Sequence, residues 1–253
     1  MATLRASKNR CALALMATVP LPGIEVRSRL SPPLSPADVA GLKSCFLRDA
    51  VTSMAEIAGA GRAEGVILYS PSGAETAARE IAPKSFKAFP QRGANLGQVL
   101  VNVTADLLAR GFSSVCLLNF ESPTLPRSHI EVALETVNRP GDRLVLTAAE
   151  GGGYCLIACK DSYPEIFERI TTSGANFLTH TTARAAQIGL KIEMLPHWYN
   201  VDDPATLKRL REELNDPDLR LSSTSRPGKP HSAHYTRQYV AKLSEGEGAE
   251  QIG

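Results

Sequence analysis

Short apolar runs alternate along the chain with longer segments in which apolar residues recur at helical spacing. A continuous apolar run is typical of a strand buried on both faces, and the alternation of such strands with helices is typical of a parallel sheet. The pattern therefore predicts an α/β protein with a Rossmann-like, mostly parallel, doubly wound sheet. The predicted strands cover residues 12–17, 65–69, 85–89, 114–118, 143–148, 154–159 and 191–195.

Capping signals predict where the helices begin. Ser35 comes directly before Pro36 and three residues before Asp38, which predicts an N-cap and a helix that runs toward Met54. The other helices are predicted over 96–110, over 130–137 behind a capping box of Ser128 and Glu131, and from Asp203 through Leu214.

The two ends of the sequence each allow two interpretations. The apolar run CALALMATV follows Arg5, Lys8 and Arg10, as the core of a short signal peptide would, but it also fits a first buried strand. We expect the strand, because the loop that follows is rich in Pro, Gly and Arg and suits ligand binding better than cleavage.

Toward the C-terminus the residues become polar and typical of turns. This change predicts one domain over residues 11–215 and a polar, partly disordered tail over 216–253. The spacing of Tyr235, Tyr239 and Val240 also permits a helix that packs on the domain.

The composition narrows the class of protein. The chain has 28 Lys and Arg against 26 Asp and Glu, a net charge of +2, which argues against a histone-like binder of nucleic acid and gives no argument for a membrane-surface protein. No apolar run approaches the ~18 residues that a membrane span needs. The five cysteines are sparse and lie mostly among apolar neighbours, which favours a reducing compartment and a cytoplasmic location.

Two pairs of residues raise the question of a metal site. Cys155 and Cys159 lie in a predicted strand, where four residues of spacing would put them on one face roughly 13 Å apart, too far to hold one ion together. His231 and His234 lie in the predicted tail, where two histidines are more often incidental than a metal pair. We therefore interpret the cysteines as core residues.

The loops that follow the strands are the places to look for chemistry, because ligands bind beyond the carboxyl ends of the strands in an open α/β sheet. Arg27 and Arg29 lie in a proline-stiffened loop and could clamp a phosphate, although two solvated arginines fit equally well. Asn95 and Gly97 lie at a helix start, where backbone N–H groups could face an anion or where the helix simply begins.

Carboxylates follow three of the predicted strands. Glu121 comes directly after the strand over 114–118 and is well placed to hold Mg²⁺ against substrate phosphates. Glu150 is the only charge beside three glycines, whose freedom allows close approach of a ligand to the backbone. Asp203 is expected to cap the last helix, which leaves Asp202 as the freer carboxylate.

Five segments in order resemble a known family. The loop after the first strand reads VPLPGIEVRSRLSPPLSP and resembles the motif P-x-P-G-x-x-K-T-R-L-x-P-x-L of a bacterial glycosyltransferase family. That family has a GT-A-like nucleotide-diphospho-sugar transferase fold and is labelled as a domain of unknown function or as a radical-SAM-associated transferase. The segments QRGANLGQVL, LLNFESPTLP, AAEGGGYCLIA and NVDDPATL resemble its later motifs, so the resemblance runs over residues 11–214. The family is also similar to nucleotidyltransferases that make molybdenum and deazaflavin cofactors.

The resemblance implies a nucleotide or nucleotide sugar across the strand ends, with a divalent metal, Mg²⁺ or Mn²⁺, on its phosphates. It implies Glu121 and Asp202 as metal ligands and Glu121 and Glu150 as catalytic residues. The nucleotide-binding positions that it implies are Pro22, Gly23, Arg27, Arg29, Asn95 and Gly97.

The acidic positions depart from the family pattern. Asn95, Gly151 and Asn200 stand where the family has Asp, Glu121 replaces another Asp, and Asp202 is unchanged. The loss of charge predicts a weakened dependence on metal. Two classes of function follow: a glycosyltransferase, with nucleotidyl transfer as an alternative reaction, or a catalytically degenerate protein of the same fold that binds a nucleotide or a partner.

Overall fold

A computed structural model describes residues 10–21, 23, 28–171, 174, 176–215 and 228–250, with the side chains of 245–250 left out. The described residues form eight strands and eight helices. The strands are β1 (Cys11–Thr18), β2 (Glu64–Ser70), β3 (Lys87–Pro90), β4 (Ser114–Asn119), β5 (Arg143–Glu150), β6 (Tyr154–Cys159), β7 (Lys191–Met194) and β8 (Trp198–Tyr199). The helices are α1 (Pro36–Gly59), α2 (Glu75–Ile81), α3 (Leu96–Ala109), α4 (Arg127–Asn138), α5 (Pro164–Phe167), α6 (Phe177–Gln187), α7 (Pro204–Asn215) and α8 (His234–Glu250).

The strands form one mixed sheet in the order β3-β2-β1-β4-β6-β5-β7, and the short β8 pairs with the end of β5. All pairs are parallel except those of β6, which runs antiparallel to β4 and β5. The apolar run near the N-terminus is the central strand β1, whose residues 11–17 are all buried between β2 and β4. The predicted mostly parallel α/β fold is confirmed.

Helices cover both faces of the sheet. The core on one face is built with α1, α2, α4, α7 and α8, and the core on the other face with α3, α5 and α6. In the part of the chain that is described, no helix is long and apolar enough to cross a membrane.

The two predicted N-terminal caps differ in outcome. Ser35 caps α1 as expected, with its side chain accepting a hydrogen bond from the N–H of Asp38. The predicted capping box of Ser128 and Glu131 is wrong. Helix α4 begins one residue before Ser128, and Pro126 stands at the N-cap without a side-chain hydrogen bond. Ser128 thus lies inside the first turn and cannot act as the cap.

An irregularity in β6 changes where two cysteines point. Thr147 and Ala148 pair with Leu156 and Tyr154, so that Cys155 is an extra residue without its own partner in β5. Because such a bulge reverses the alternation of side chains, Cys155 packs in one core and Cys159 in the other. The expectation that both lie on one face is therefore wrong, whereas both cysteines are free and buried as predicted.

Helix α8 corrects the prediction of a polar tail. Ala233, Thr236 and Val240 are buried, and the ring of Tyr239 packs where Gly41 of α1 leaves no side chain in its way. The docked helix that the spacing permits is the one that forms, with Val240 buried and Tyr239 packed against the core, whereas Tyr235 remains 38% exposed. Residues 216–227, also predicted as tail, lie outside the described residues.

Two side-chain contacts hold α8 in place. The buried carboxylate of Asp49 in α1 accepts hydrogen bonds from the backbone N–H groups of Tyr235 and Thr236, at 3.1 and 2.8 Å, and so caps the start of α8. Arg237 donates to the carbonyl oxygen of Leu214 in α7. Residues 228–244 are therefore part of the folded domain.

Candidate functional site

The carboxyl edge of the sheet brings several predicted site residues close together. Strand β4 ends at Asn119, and the chain turns so that the backbone carbonyl oxygen of Glu121 accepts a hydrogen bond of 2.7 Å from the N–H of Val201. This bond places the segment that follows β8 directly beside the segment that follows β4. Glu121 and Asp202, 81 residues apart in sequence, thus come to neighbouring positions at one edge.

Glu121 is paired with a lysine that the sequence analysis did not select. The Nζ atom of Lys43 in α1 lies 3.0 Å from Oε1 of Glu121, and the two side chains are 10% and 21% exposed. The same ammonium lies 5.8 Å from the ring centroid of Phe120. The ion pair is therefore partly withdrawn from water, with the carboxylate nearer to the surface.

Arg29 and Asp202, for which different roles were predicted, contact each other. The guanidinium of Arg29 lies 2.5 Å from Oδ2 of Asp202, with side chains 70% and 35% exposed. An exposed pair of this kind contributes little to stability.

Asp203 caps α7 as predicted: its side chain accepts from the N–H of Thr206, and this hydrogen bonding holds the pKa of Asp203 below its usual value.

Glu150, at the end of β5, also has a basic partner. Arg209 of α7 lies 2.6 Å from a carboxylate oxygen of Glu150, and its guanidinium covers the ring of Tyr199 at 3.9 Å from the centroid. The hydroxyl of Tyr199 in turn donates to Glu213 at 2.9 Å. Arg209 thus ties the edge of the sheet to α7.

The neutral side chain of Asn200 fits its surroundings better than a carboxylate would. Its Oδ1 accepts from the hydroxyl of Ser122 at 2.6 Å, while its Nδ2 donates to the carbonyl oxygen of Tyr154 at 3.3 Å. Asn200 is buried, and a carboxylate there would direct a charged oxygen at that carbonyl oxygen. The position where the resemblance implied an Asp therefore serves structure in this chain.

The start of α3 does not offer free N–H groups to an anion. Asn95 is the N-cap, with its side chain accepting from the N–H of Gln98 at 3.0 Å. The N–H of Gly97 donates to the carbonyl oxygen of Ile170 at 2.8 Å, and a Cβ at Gly97 would overlap the carbonyl oxygen of Phe167. Asn95 and Gly97 therefore serve helix capping and close packing of backbones, and their nucleotide-binding role stays a prediction.

The remaining predicted positions divide between described and undescribed residues. Pro22 and Arg27 lie outside the described residues. Gly23 has a φ of +77° and Gly151 a φ of +87°, with open space around both, so each turn uses a backbone conformation that favours glycine.

The donor set does not fit the predicted metal site. Glu121 and Asp202 are each engaged by a basic side chain, and Asn95 and Asn200 are engaged as neutral amides. Within the described ranges, no three His, Cys, Asp or Glu side chains come together as a group that could hold a metal ion. Both carboxylates already have a cation of the protein as partner, which argues against their predicted role as ligands of a divalent cation.

Lys43 carried a signal that the sequence analysis missed. It falls on the apolar stripe of α1, between Leu42 and Phe46, both of which are fully buried. A lysine at such a position must either reach water or find a buried partner. Its partner is 78 residues away in the sequence, so the helical pattern alone could not name it.

The arrangement of strands defines the class of fold: a mixed α/β sheet shared with nucleotide-diphospho-sugar transferases and cytidylyltransferases. The crystal structure named "putative nucleotide-diphospho-sugar transferase" from Desulfovibrio desulfuricans G20 superposes with a TM-score of 0.71 at 23% identity, over 91% of this chain and 98% of that one. CMP:2-keto-3-deoxy-manno-octonic acid synthetase complexed with CTP gives a TM-score of 0.51 at 13% identity, over 82% of this chain and 99% of that one. The 4-diphosphocytidyl-2C-methyl-D-erythritol synthase of Anaerococcus prevotii gives a TM-score of 0.52 at 9% identity, over 83% of this chain and 97% of that one.

The family itself is shown by its sequence model. Residues 38–174, more than half of the chain, match the model described as an uncharacterized protein conserved in bacteria, DUF2064. The chain belongs to this family. No curated protein sequence matches the chain.

Proposed function

We propose that this protein binds a nucleoside diphosphate sugar across the carboxyl edge of the sheet and transfers the glycosyl group to an acceptor. The observation that carries the proposal is the row of ion pairs along this edge, Lys43–Glu121, Arg29–Asp202 and Arg209–Glu150. Ligands of open α/β sheets bind at this edge, and a diphosphate needs basic groups there. The fold shared with a protein named as a nucleotide-diphospho-sugar transferase is consistent with such a ligand.

Each charged group would have a separate task. Arg29, with a largely exposed side chain, would turn from Asp202 to the diphosphate, together with Arg27, which is proposed from the sequence. Glu150 would accept the proton of the acceptor hydroxyl while the acceptor oxygen bonds to the anomeric carbon. The bond between that carbon and the diphosphate oxygen breaks, and the nucleoside diphosphate leaves with the electron pair.

A specific observation also favours nucleotidyl transfer as a second candidate. Of the proteins that share this fold, one synthetase is complexed with CTP, and another is named as a synthase of a diphosphocytidyl compound. In that reaction, the phosphate of a phosphorylated acceptor would attack the α-phosphate of a nucleoside triphosphate and release pyrophosphate.

A third candidate function is a protein that binds a nucleotide or a partner without catalysis. The neutral residues Asn95, Gly151 and Asn200 support it. A link to radical-SAM genes and a cytoplasmic location remain predictions from the sequence.

A binding panel followed by product analysis tests the proposal. We expect nucleoside diphosphates and their sugars to raise the melting temperature, and Arg29→Ala to weaken binding about tenfold or more, since a charged hydrogen bond is worth about 1.5–3 kcal/mol. Arg62→Ala is the matched control, because Arg62 is also an exposed arginine in an ion pair but lies before β2, at the opposite edge.

The products separate the candidate reactions. Release of a nucleoside diphosphate from a nucleotide sugar supports glycosyl transfer, whereas pyrophosphate from a nucleoside triphosphate and a sugar phosphate supports nucleotidyl transfer. Binding without either product supports the non-catalytic reading. Equal affinity of wild type and Arg29→Ala, both folded, would contradict the proposed phosphate contact.

A further inference from the structure

The ion pair of Lys43 and Glu121 occupies the position where the resemblance implied a metal ligand. Lys43 reaches this position from α1, and its ammonium lies against the carboxylate at 3.0 Å and above the ring of Phe120. The lysine side chain is 10% exposed, so its stem is held by packing and the ammonium has little freedom to move away. Glu121 can therefore accept a metal ion only if that ion displaces or tolerates a fixed positive charge beside it.

We propose that the Lys43 ammonium itself supplies the positive charge of this site, so that the protein binds the phosphates of its nucleotide without a divalent metal. The inference rests on the proposed function for the identity of the ligand. It concerns a different property, which is the source of the cation.

Electrostatics favour this assignment. A divalent cation that joined Glu121 would lie within a few ångströms of the ammonium, and like charges at such distances repel strongly where water is partly excluded. Mg²⁺ and Mn²⁺ also need several oxygen ligands, usually including one or two carboxylates of the protein. The neighbouring carboxylate Asp202 already faces Arg29, and the neighbouring Asn200 is neutral and engaged with Ser122.

The chemistry of the ammonium suits the replacement. An ammonium has three donors, and among the described residues Glu121 is the hydrogen-bond partner of Nζ, which leaves donors for phosphate oxygens. A buried ion pair is also weak evidence for stability, because apolar residues of similar size are often as stable. A lysine held at a ligand-binding edge, against a carboxylate that remains one-fifth exposed, is better explained by a charge that the ligand uses.

Metal and nucleotide titrations of wild type and two variants test the proposal. Mn²⁺ is titrated by calorimetry into wild type, Lys43→Met and the control Lys208→Met, which removes the same charge from an exposed position of α7. We expect wild type and the control to show no saturable Mn²⁺ binding below millimolar concentrations. Lys43→Met, which frees the carboxylate, should bind Mn²⁺ at least tenfold more tightly than wild type.

Nucleotide binding is measured on the same proteins with UDP, GDP, CDP, ADP and pyrophosphate, each in EDTA and in Mn²⁺. The affinity of wild type should agree within about twofold between the two conditions. Lys43→Met should lose at least tenfold in EDTA and recover part of that loss in Mn²⁺. Tight Mn²⁺ binding by wild type, or unchanged affinities in Lys43→Met, would overturn the proposal.

Glu121→Gln keeps the proposal testable if Lys43→Met does not fold. A metal held by Glu121 predicts that Mn²⁺ strengthens nucleotide binding to wild type but not to this variant. An ammonium released from its carboxylate predicts that the variant binds as tightly as wild type, or more tightly, both in EDTA and in Mn²⁺. If wild type binds none of the five compounds, the proposed function fails. The Mn²⁺ titrations then still decide whether Lys43 excludes a metal from Glu121.

Discussion

Helix α1 carries two buried charged side chains that serve different regions of the molecule. Asp49, 1% exposed, faces α8 and accepts hydrogen bonds from two backbone N–H groups at the start of that helix. Lys43, whose side chain is 10% exposed, faces the carboxyl edge of the sheet and pairs with a carboxylate that water still reaches. The partners of Asp49 are fixed parts of the backbone, whereas the partner of Lys43 is a side chain open to exchange.

The difference teaches how a buried charge can be interpreted. A charge whose hydrogen bonds are filled by backbone groups acts as part of the scaffold, because no ligand can compete for them. A charge paired at the border of the protein can change partners when a ligand arrives. We therefore expect changes at the interface of α1 and α8 to alter stability, and changes at the carboxyl edge to alter binding.

Removal of residues 216–253 should have the largest effect. The deletion removes the burial of Val240, which lowers the free energy of unfolding by about 1.5–3 kcal/mol. It also removes the hydrogen-bond partners of the buried Asp49, which lowers the free energy of unfolding by about another 1–3 kcal/mol. We expect the melting temperature to fall by about 10 °C. Deletion of 251–253 alone is the control, and an equal melting temperature for the longer deletion would show that α8 does not stabilise the domain.

Gly97→Ala should come next, although Gly97 was predicted to bind nucleotide. A methyl group there would overlap the carbonyl oxygen of Phe167, and such overpacking costs about 1–3 kcal/mol. Gly59→Ala is the matched control, because Gly59 ends α1 in open space. Chemical denaturation measures both. A stable Gly97→Ala protein with weakened nucleotide binding would restore Gly97 to the site.

The direct comparison is between Asp49→Ala and Lys43→Met. Asp49→Ala should cost about 2 kcal/mol, since it removes a helix cap and leaves N–H groups at a buried helix start without acceptors. Lys43→Met should cost less than about 1 kcal/mol, because methionine has a similar volume and the remaining Glu121 can be hydrated. Asp49→Asn, which keeps an acceptor oxygen, should lie in between. Equal losses at both positions would remove the distinction between the two regions.

Acid should destabilise the protein through two partly or fully buried histidines near α4 and α8. Burial lowers the pKa of His129 in α4 and of His231 ahead of α8. Because the unfolded chain then binds more protons, the stability from the neutral rings is complete above about pH 6.5 and is lost as the pH falls toward the folded pKa values.

Each of the two histidines should lower the free energy of unfolding by at most about 1.4 kcal/mol per pH unit. Urea denaturation between pH 7.5 and 5 measures this slope. His231→Gln should flatten it. A slope that does not change in His231→Gln would mean that this ring is not neutral in the fold.

Gly151→Asp should lower the free energy of unfolding by about 1 kcal/mol, less than Asp49→Ala. The position has a φ of +87°, which costs an aspartate about this much, but no atom lies near enough to clash. Gly151→Asn separates the backbone cost from the effect of charge. If Gly151→Asp lowers nucleotide affinity in EDTA and Gly151→Asn does not, the edge binds an anion close to this turn; equal affinities would place the anion elsewhere.

The local sequence pattern was sufficient to predict much of the fold and part of the candidate site. The apolar runs identified the strands because burial on both faces requires continuous apolar residues, and β1 is the clearest case. Ser35 identified the start of α1 because an N-cap acts within three residues. The loops after the strands identified Glu121, Glu150 and Asp202 as edge residues, because position along a parallel strand fixes the edge at which its loop lies.

The tertiary structure decided what those residues contact. Lys43 and Glu121 are 78 residues apart, and Arg29 and Asp202 are 173 apart, so no local pattern could pair them. The bulge that separates Cys155 from Cys159 depends on pairing with β5, and the docking of α8 depends on Asp49, 186 residues before it. The physical reason is the same in all of these cases. The periodicity of a sequence indicates which side chains are buried. The partner of a buried charge depends on which distant segment the folded chain brings within hydrogen-bond distance.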